Sequence, residues 1–194
     1  YYGNMCQYQN QRVSLTLTFL AINKHHIYAI FIKLIDDDDD DDNHHHQEIQ
    51  SYEQIIYVSK TTCGQPFDRY LLYSTRPKNL SRNYTIHIDV YDKISLEYIS
   101  SWYFKVAFSF LPVNRLAVVL TLGTNRVVQS SSCSLPCEHG VCMKYMNEEK
   151  YFCECRRGWS GAECHIPIDC NDCSSDSKCV GNVKNRSICI CPLG

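Results

Sequence analysis

No stretch of this chain stays apolar for the roughly 18 residues that a membrane-spanning helix needs. The longest apolar run, Ile27–Ile35, is nine residues long and is interrupted by Lys33. These residues therefore hold no helical membrane span, and an anchor, if there is one, belongs elsewhere in a parent chain. Charge of one sign is lacking too: 19 Lys and Arg stand against 21 Asp and Glu, a formal net charge of −2. That balance gives no electrostatic case for nucleic acid or an anionic membrane as partner. Also missing are a nucleophile elbow, an HExxH motif and a pair of carboxylates set among apolar residues. The Ser and His residues have no spacing that implies contact, so no catalytic residue and no cofactor is assigned. Cysteine is scarce in the first 130 residues, where only Cys6 and Cys63 occur, yet 11 of the 13 cysteines follow. Such density places the chain in an oxidising compartment, extracellular or at a cell surface.

Residues 1–125 read as a β-rich domain. Ser14–Ala21 alternates, with Leu15, Leu17 and Phe19 on one face and Thr16 and Thr18 on the other, the period of a half-buried strand. After the polar turn Asn23–His26, the run Ile27–Ile35 predicts a more deeply buried strand, hairpinned to the first. Further strands are expected at Ile55–Ser59 and Tyr70–Ser74. From Tyr84 to Asp92 the pattern puts Tyr84, Ile86, Ile88 and Val90 inward and Thr85, His87 and Asp89 outward, which makes His87 a surface residue. Trp102–Phe110 repeats the device with Trp102, Phe104, Val106, Phe108 and Phe110 inward. Leu116, Val118, Leu120 and Leu122 line the next strand. Together these segments predict an antiparallel β-sandwich of six to eight strands, followed by small disulfide-rich modules.

Residues 36–48 begin with seven consecutive aspartates, Asp36–Asp42, and continue through His44, His45 and His46. Like-charge repulsion and the absence of anything to bury predict a solvated, disordered loop. A flexible polyacid lacks the converging oxygen geometry that selective cation binding needs, so no metal is assigned to it. Cys6 and Cys63 are a possible disulfide pair. Two sequons, at Asn79 and Asn83, fall in the polar connection before Tyr84, and a third is at Asn185; all three are candidate glycosylation sites.

Residues 126–132 are apolar-poor and predict a linker. Six cysteines then fall within the 32 residues from Cys133 to Cys164, separated by three, four, ten, one and eight residues. A segment so short cannot bury enough apolar surface to fold unaided and needs covalent or metal staples. Zinc is disfavoured, because the CxC spacing does not supply paired CxxC knuckles; His139 and His165 are read as exposed loop residues. Six cysteines allow 15 pairings, and spacing alone does not choose among them. The last interval carries Gly158, Trp159 and Gly161 in a CxxGWxGxxC arrangement. In these intervals and this signature residues 133–164 resemble the epidermal growth factor (EGF) family of extracellular modules.

The resemblance implies the pairs Cys133 with Cys142, Cys137 with Cys153 and Cys155 with Cys164. It extends to residues 170–194, where Cys170, Cys173, Cys179, Cys189 and Cys191 follow a similar rhythm and then stop. By the same analogy Cys170 joins Cys179 and Cys173 joins Cys189, leaving Cys191 alone. That stop, with no leader-like segment after Tyr1, sets the expectation of a piece from a longer protein. Receptor-activating members carry an Arg before the last cysteine and a Leu soon after it, whereas Glu163 and His165–Ile168 occupy those places here. Calcium-binding members need an acidic cluster before the first cysteine, where Ser130, Ser131 and Ser132 stand; Asp169 alone precedes Cys170. The expectation is thus a non-catalytic extracellular region whose partner is a protein or glycan. The alternative is a secreted enzyme whose catalytic part is in the β domain or outside these residues.

Overall fold

The computed structural model describes residues 11–38, 46–75, 77–108, 110–123, 133, 135–184 and 186–193. Cys6, Asn185, residues 39–45 (with His44 and His45) and the expected linker 126–132 lie outside the described residues. The protein is mostly β. Its first part comprises β1 (Arg12–Ala21), β2 (Ile27–Asp38), β3 (His46–Val58), a single helical turn α1 (Ser59–Thr62), β4 (Pro66–Leu72), β5 (Tyr84–Asp92), β6 (Tyr98–Lys105) and β7 (Val113–Leu122). These strands make two sheets, ordered β4-β1-β7 and β3-β2-β5-β6.

The inward rows of the two sheets meet to form the core. Leu15, Leu17 and Phe19 of β1 pack in one cluster with Ile30, Ile32 and Leu34 of β2, Ile86, Ile88 and Val90 of β5, and Trp102 of β6. Burial of each large apolar side chain contributes about 1.5–3 kcal/mol. Because the inward rows of β1 and β2 cover one another, the two strands belong to opposite sheets and are not a hairpin, contrary to expectation. β2 pairs antiparallel with β3 and β5. β1 pairs antiparallel with β4 and parallel with β7, so the sandwich is not purely antiparallel.

Two other expectations need correcting. The β2–β3 ladder runs on through Asp36, Asp37 and Asp38 to His46, Gln47 and Glu48, so both flanks of the expected 36–48 loop are strand. Asp36 is buried, and the Arg82 guanidinium meets its carboxylate at 2.9 Å, a partner that compensates for its desolvation. At the other site the strand expected to reach Phe110 ends at Lys105. The Val106 amide makes a last bond to the Tyr84 carbonyl, and Leu111 turns back onto the Phe108 carbonyl. Phe108 and Phe110 are left exposed, the latter at 68%.

The cysteine-rich part forms three short antiparallel ribbons: β8 (Gly140–Lys144) with β9 (Tyr151–Cys155), β10 (Trp159–Ser160) with β11 (Ile166–Pro167), and β12 (Lys178–Val183) with β13 (Arg186–Ile190). Disulfides join Cys133 to Cys142, Cys137 to Cys153 and Cys155 to Cys164 in the first module, and Cys170 to Cys179 and Cys173 to Cys189 in the second. In a loop-entropy account each closure of this size contributes about 2–3 kcal/mol. Gly158 and Gly161 both adopt φ +87°, and a β-carbon on Gly161 would come within 2.9 Å of Ile166. Arg157 ties the modules together, its Nη1 donating to the Ser177 carbonyl at 2.9 Å and its Nη2 to the Cys173 carbonyl at 3.3 Å.

Candidate functional site

Period-two alternation turns Thr85, His87, Asp89 and Tyr91 of β5 away from the sandwich core. A solvated sheet face would leave them exposed, as the sequence pattern suggests. Instead all four are buried, His87 to 5% and Asp89 to 4% exposure, because the cysteine modules lie against this face. The expectation of a surface His87 is therefore overturned, and the seam between sheet and modules is the most chemically loaded place in the described residues.

From the first module, the tip of the β8–β9 ribbon provides the contacts. Tyr145 stacks on Phe152 at 4.5 Å between ring centres and meets His87 and Tyr103 at 5.3 Å each. Its hydroxyl lies 2.9 Å from His87 Nδ1, while His87 Nε2 is 3.3 Å from Thr85 Oγ1. Burial holds the Tyr145 phenol well above its ordinary pKa, so the phenol keeps its proton. Both ring nitrogens of His87 are thus engaged by hydroxyl groups, each of which can donate or accept as the imidazole tautomer requires. Burial first, and then the Lys33 and Lys150 charges, push the His87 pKa down to about 3 against the pull of Asp89.

Along the edge of β6 the module replaces a missing strand. Met146 N–H donates to the Ser101 carbonyl at 2.9 Å. The Asn147 side chain then pairs with both backbone groups of Tyr103. The Lys150 ammonium sits 4.5 Å over the Tyr103 ring, an attraction of the cation for the aromatic face.

The second module contributes apolar weight. Ile188 and Ile190 of β13 are buried against Ala29 and Phe31 of β2 and Tyr91 of β5, worth about 1.5–3 kcal/mol each. Gly181, at φ +154°, lets β12 come close to β3, since a β-carbon there would sit 3.0 Å from Ile49 Cδ1. Lys93 donates to the Cys191 carbonyl. The Lys178 ammonium lies 4.8 Å above the Tyr91 ring and pairs with Glu154 of the first module at 2.5 Å.

Charges inside the seam are matched. Lys33 Nζ is 2.5 Å from Asp89 Oδ2, and Ser101 Oγ donates to Asp89 Oδ1 at 2.5 Å. Burial works against the Asp89 carboxylate, but Lys33 and the two hydrogen bonds outweigh it and hold its pKa below the ordinary value. A cavity of about 90 Å³ remains between the sheet and the modules, lined in part by Lys33, His87, Asp89, Tyr145, Trp159 and Lys178. That is space for a few waters, far below the roughly 300–1,000 Å³ of typical small-molecule sites. Among the described residues no group of three His, Cys, Asp or Glu could hold a metal ion.

Of the residues singled out from sequence, Cys63 and Cys191 are exposed thiols without a disulfide among the described residues. Cys6, the proposed partner of Cys63, and Asn185 lie outside the described residues. Asn79 and Asn83 are both exposed, as glycan acceptors must be, with Asn79 Oδ1 accepting from the Ser81 amide at 2.9 Å. His139 is half-buried rather than exposed, stacked on Trp159 at 3.6 Å. Pattern reading misses Tyr145, Asn147, Phe152, Ile188 and Ile190. For Tyr145 and its neighbour Asn147 the signal that could have found them is an apolar Tyr-Met pair at the tip of a ribbon that otherwise reads as solvated.

No family model matches the chain, and no curated protein matches it. Among solved structures it is similar to an alternative pilotin from the type II secretion system of Vibrio cholerae, at 12% identity and a TM-score of 0.42, over 59% of this chain and 97% of that one. A likeness of that order carries no argument about fold or function.

Proposed function

We propose that this chain is a non-catalytic interaction region of an extracellular, multi-domain protein, in which two EGF-like modules are docked on a β-sandwich. The observation that carries the reading is the seam. The outward polar side chains of β5 are covered and engaged there: His87 by Tyr145 of the first module and Asp89 by Lys33 of β2, while the Lys178–Glu154 pair joins the two modules above them. A catalytic group must be free to meet a substrate, and these are mutually engaged around a space too small for one. Five disulfides support an oxidising compartment, and the exposure of Asn79 and Asn83 suits glycosylation there. The partner is an extracellular protein or glycan reached by surfaces outside the seam.

The test is to secrete the chain from eukaryotic cells, label it and titrate it onto intact cells, alongside a panel of esterase, glycosidase and peptidase substrates. Saturable binding that is lost after reduction and alkylation, with no turnover, is the expected result. Turnover abolished by His87→Gln or Asp89→Asn, with no saturable binding, contradicts it.

A further inference from the structure

Among the described residues the three-stranded sheet ends on β7, and no described strand pairs with its outer edge. The Arg12 amide donates to the Pro112 carbonyl and the Ile22 amide to the Leu122 carbonyl, so the even-numbered residues of β7 direct their backbone groups to β1. By the two-residue period of a strand, Val113, Arg115, Ala117, Val119 and Thr121 direct N–H and C=O groups the other way, where no bond is found among the described residues. Proteins blunt such edges with prolines, lysines, bulges or a covering element. β6 has a cover in Met146 and Asn147. Among the described residues β7 has none of these devices: it holds no proline, one charge (Arg115), and pairs with β1 over ten consecutive residues without a register shift.

The side chains repeat the message. Val119 is 63% exposed and Leu20 41% on the outer face. On the inner face Leu116 and Val118 stay only partly buried against the core, whereas Leu120 and Leu122 are buried. The sequence of β7 is also self-complementary. If two copies pair antiparallel about Ala117, Arg115 falls opposite Val119 of the other copy, Val113 opposite Thr121, and Leu116 opposite Val118. No like charges meet, and the smallest side chain sits on the axis. We propose that the edge of β7 pairs antiparallel with β7 of a second copy, about a two-fold axis through Ala117, joining the two three-stranded sheets into one of six. This goes beyond the extracellular reading and does not depend on it.

One strand pair buries less than a standard interface, which marks a weak, reversible dimer with a midpoint between about 1 µM and 1 mM. Sedimentation velocity of the whole chain over that range should show the mass rise from one copy to two. The register is tested at position 119, where the side chain is exposed and the fold insensitive. Val119→Lys sets a lysine against Arg115 of the other copy twice and should weaken association about two- to thirtyfold, and Val119→Glu should strengthen it by a similar factor. A mass of one copy up to 1 mM overturns the proposal. So does a dimer that ignores both substitutions, or any ordering other than Glu tighter than Val tighter than Lys.

Discussion

The side-chain amide of Asn147 meets both backbone groups of Tyr103: Nδ2 donates to the Tyr103 carbonyl at 2.7 Å, and Oδ1 accepts from the Tyr103 N–H at 3.0 Å. One side chain thus does for the edge of β6 what the next strand would do. It comes from the first cysteine module, 44 positions further along the chain, and it makes that module part of the sheet's own hydrogen-bond accounting.

Replacing Asn147 by Ala removes two hydrogen bonds and reopens a sheet edge. The expected cost is about 1–3 kcal/mol, seen as a lower urea midpoint at an unchanged slope. Asn147→Asp should cost at least as much, because a carboxylate then faces the Tyr103 carbonyl. A midpoint equal to wild type in both variants would contradict the role given to this contact.

His87 makes the seam sensitive to acid. In the unfolded chain the imidazole titrates near its ordinary value of 6.5, and in the fold it is pushed down to about 3. Below pH 6.5 the unfolded chain takes up a proton that the folded chain refuses. The stability owed to neutral His87 is therefore intact above pH 6.5 and is lost as pH falls from 6.5 toward 3. Every neighbour bears on this: Lys33 and Lys150 oppose a second positive charge, Asp89 favours it, and Tyr145 and Thr85 are already bonded to the two ring nitrogens. Urea midpoints at pH 7 and pH 5 should differ for wild type and differ much less for His87→Gln. Equal losses in the two proteins would remove His87 from the account.

Lys33 and Asp89 form a buried pair, and breaking one side leaves the other charged and unpaired. Lys33→Met should cost about 3–5 kcal/mol, and the double variant Lys33→Met with Asp89→Leu should cost clearly less than the two single changes added together. Additive losses in a double-mutant cycle would mean that the two residues do not act as a pair.

Much of the sandwich is legible in the alternation of its strands. Leu15, Leu17 and Phe19, and Ile86, Ile88 and Val90, go inward as their period requires. The register of turns and partners is not legible. The Asn23–His26 turn looks like a hairpin but carries the chain between sheets, because burial alternation says which face of a strand is covered and not by which strand. The cysteine density calls for disulfide staples, since each short module has little else to hold it, whereas the pairing is legible only through the EGF resemblance, because spacing alone leaves 15 pairings open. The candidate site is the least legible part. His87 and Asp89 read as surface residues when β5 is taken alone, and only docking of elements more than 50 residues away reverses that. Burial of both faces is a tertiary fact with no period of its own.

That docking also changes what reduction should do. For free-standing modules, thiol reduction would unfold residues beyond 133 and leave the sandwich untouched. With Ile188 and Ile190 packed on the sheet, Tyr145 on His87 and Phe152 on Tyr98, losing the five disulfides also bares the outer face of β5. Reduced protein should therefore show a lower urea midpoint for the β-sheet circular dichroism signal as well. A sandwich transition unmoved by reduction would contradict the coupling.

Amide hydrogen exchange at Tyr103, resolved by NMR at neutral pH, tests the docked arrangement most directly. The account predicts an amide protected at least about a thousandfold relative to an unstructured chain, falling sharply in Asn147→Ala. An amide exchanging within about tenfold of the unstructured rate in the intact protein, as a bare sheet edge would, contradicts it.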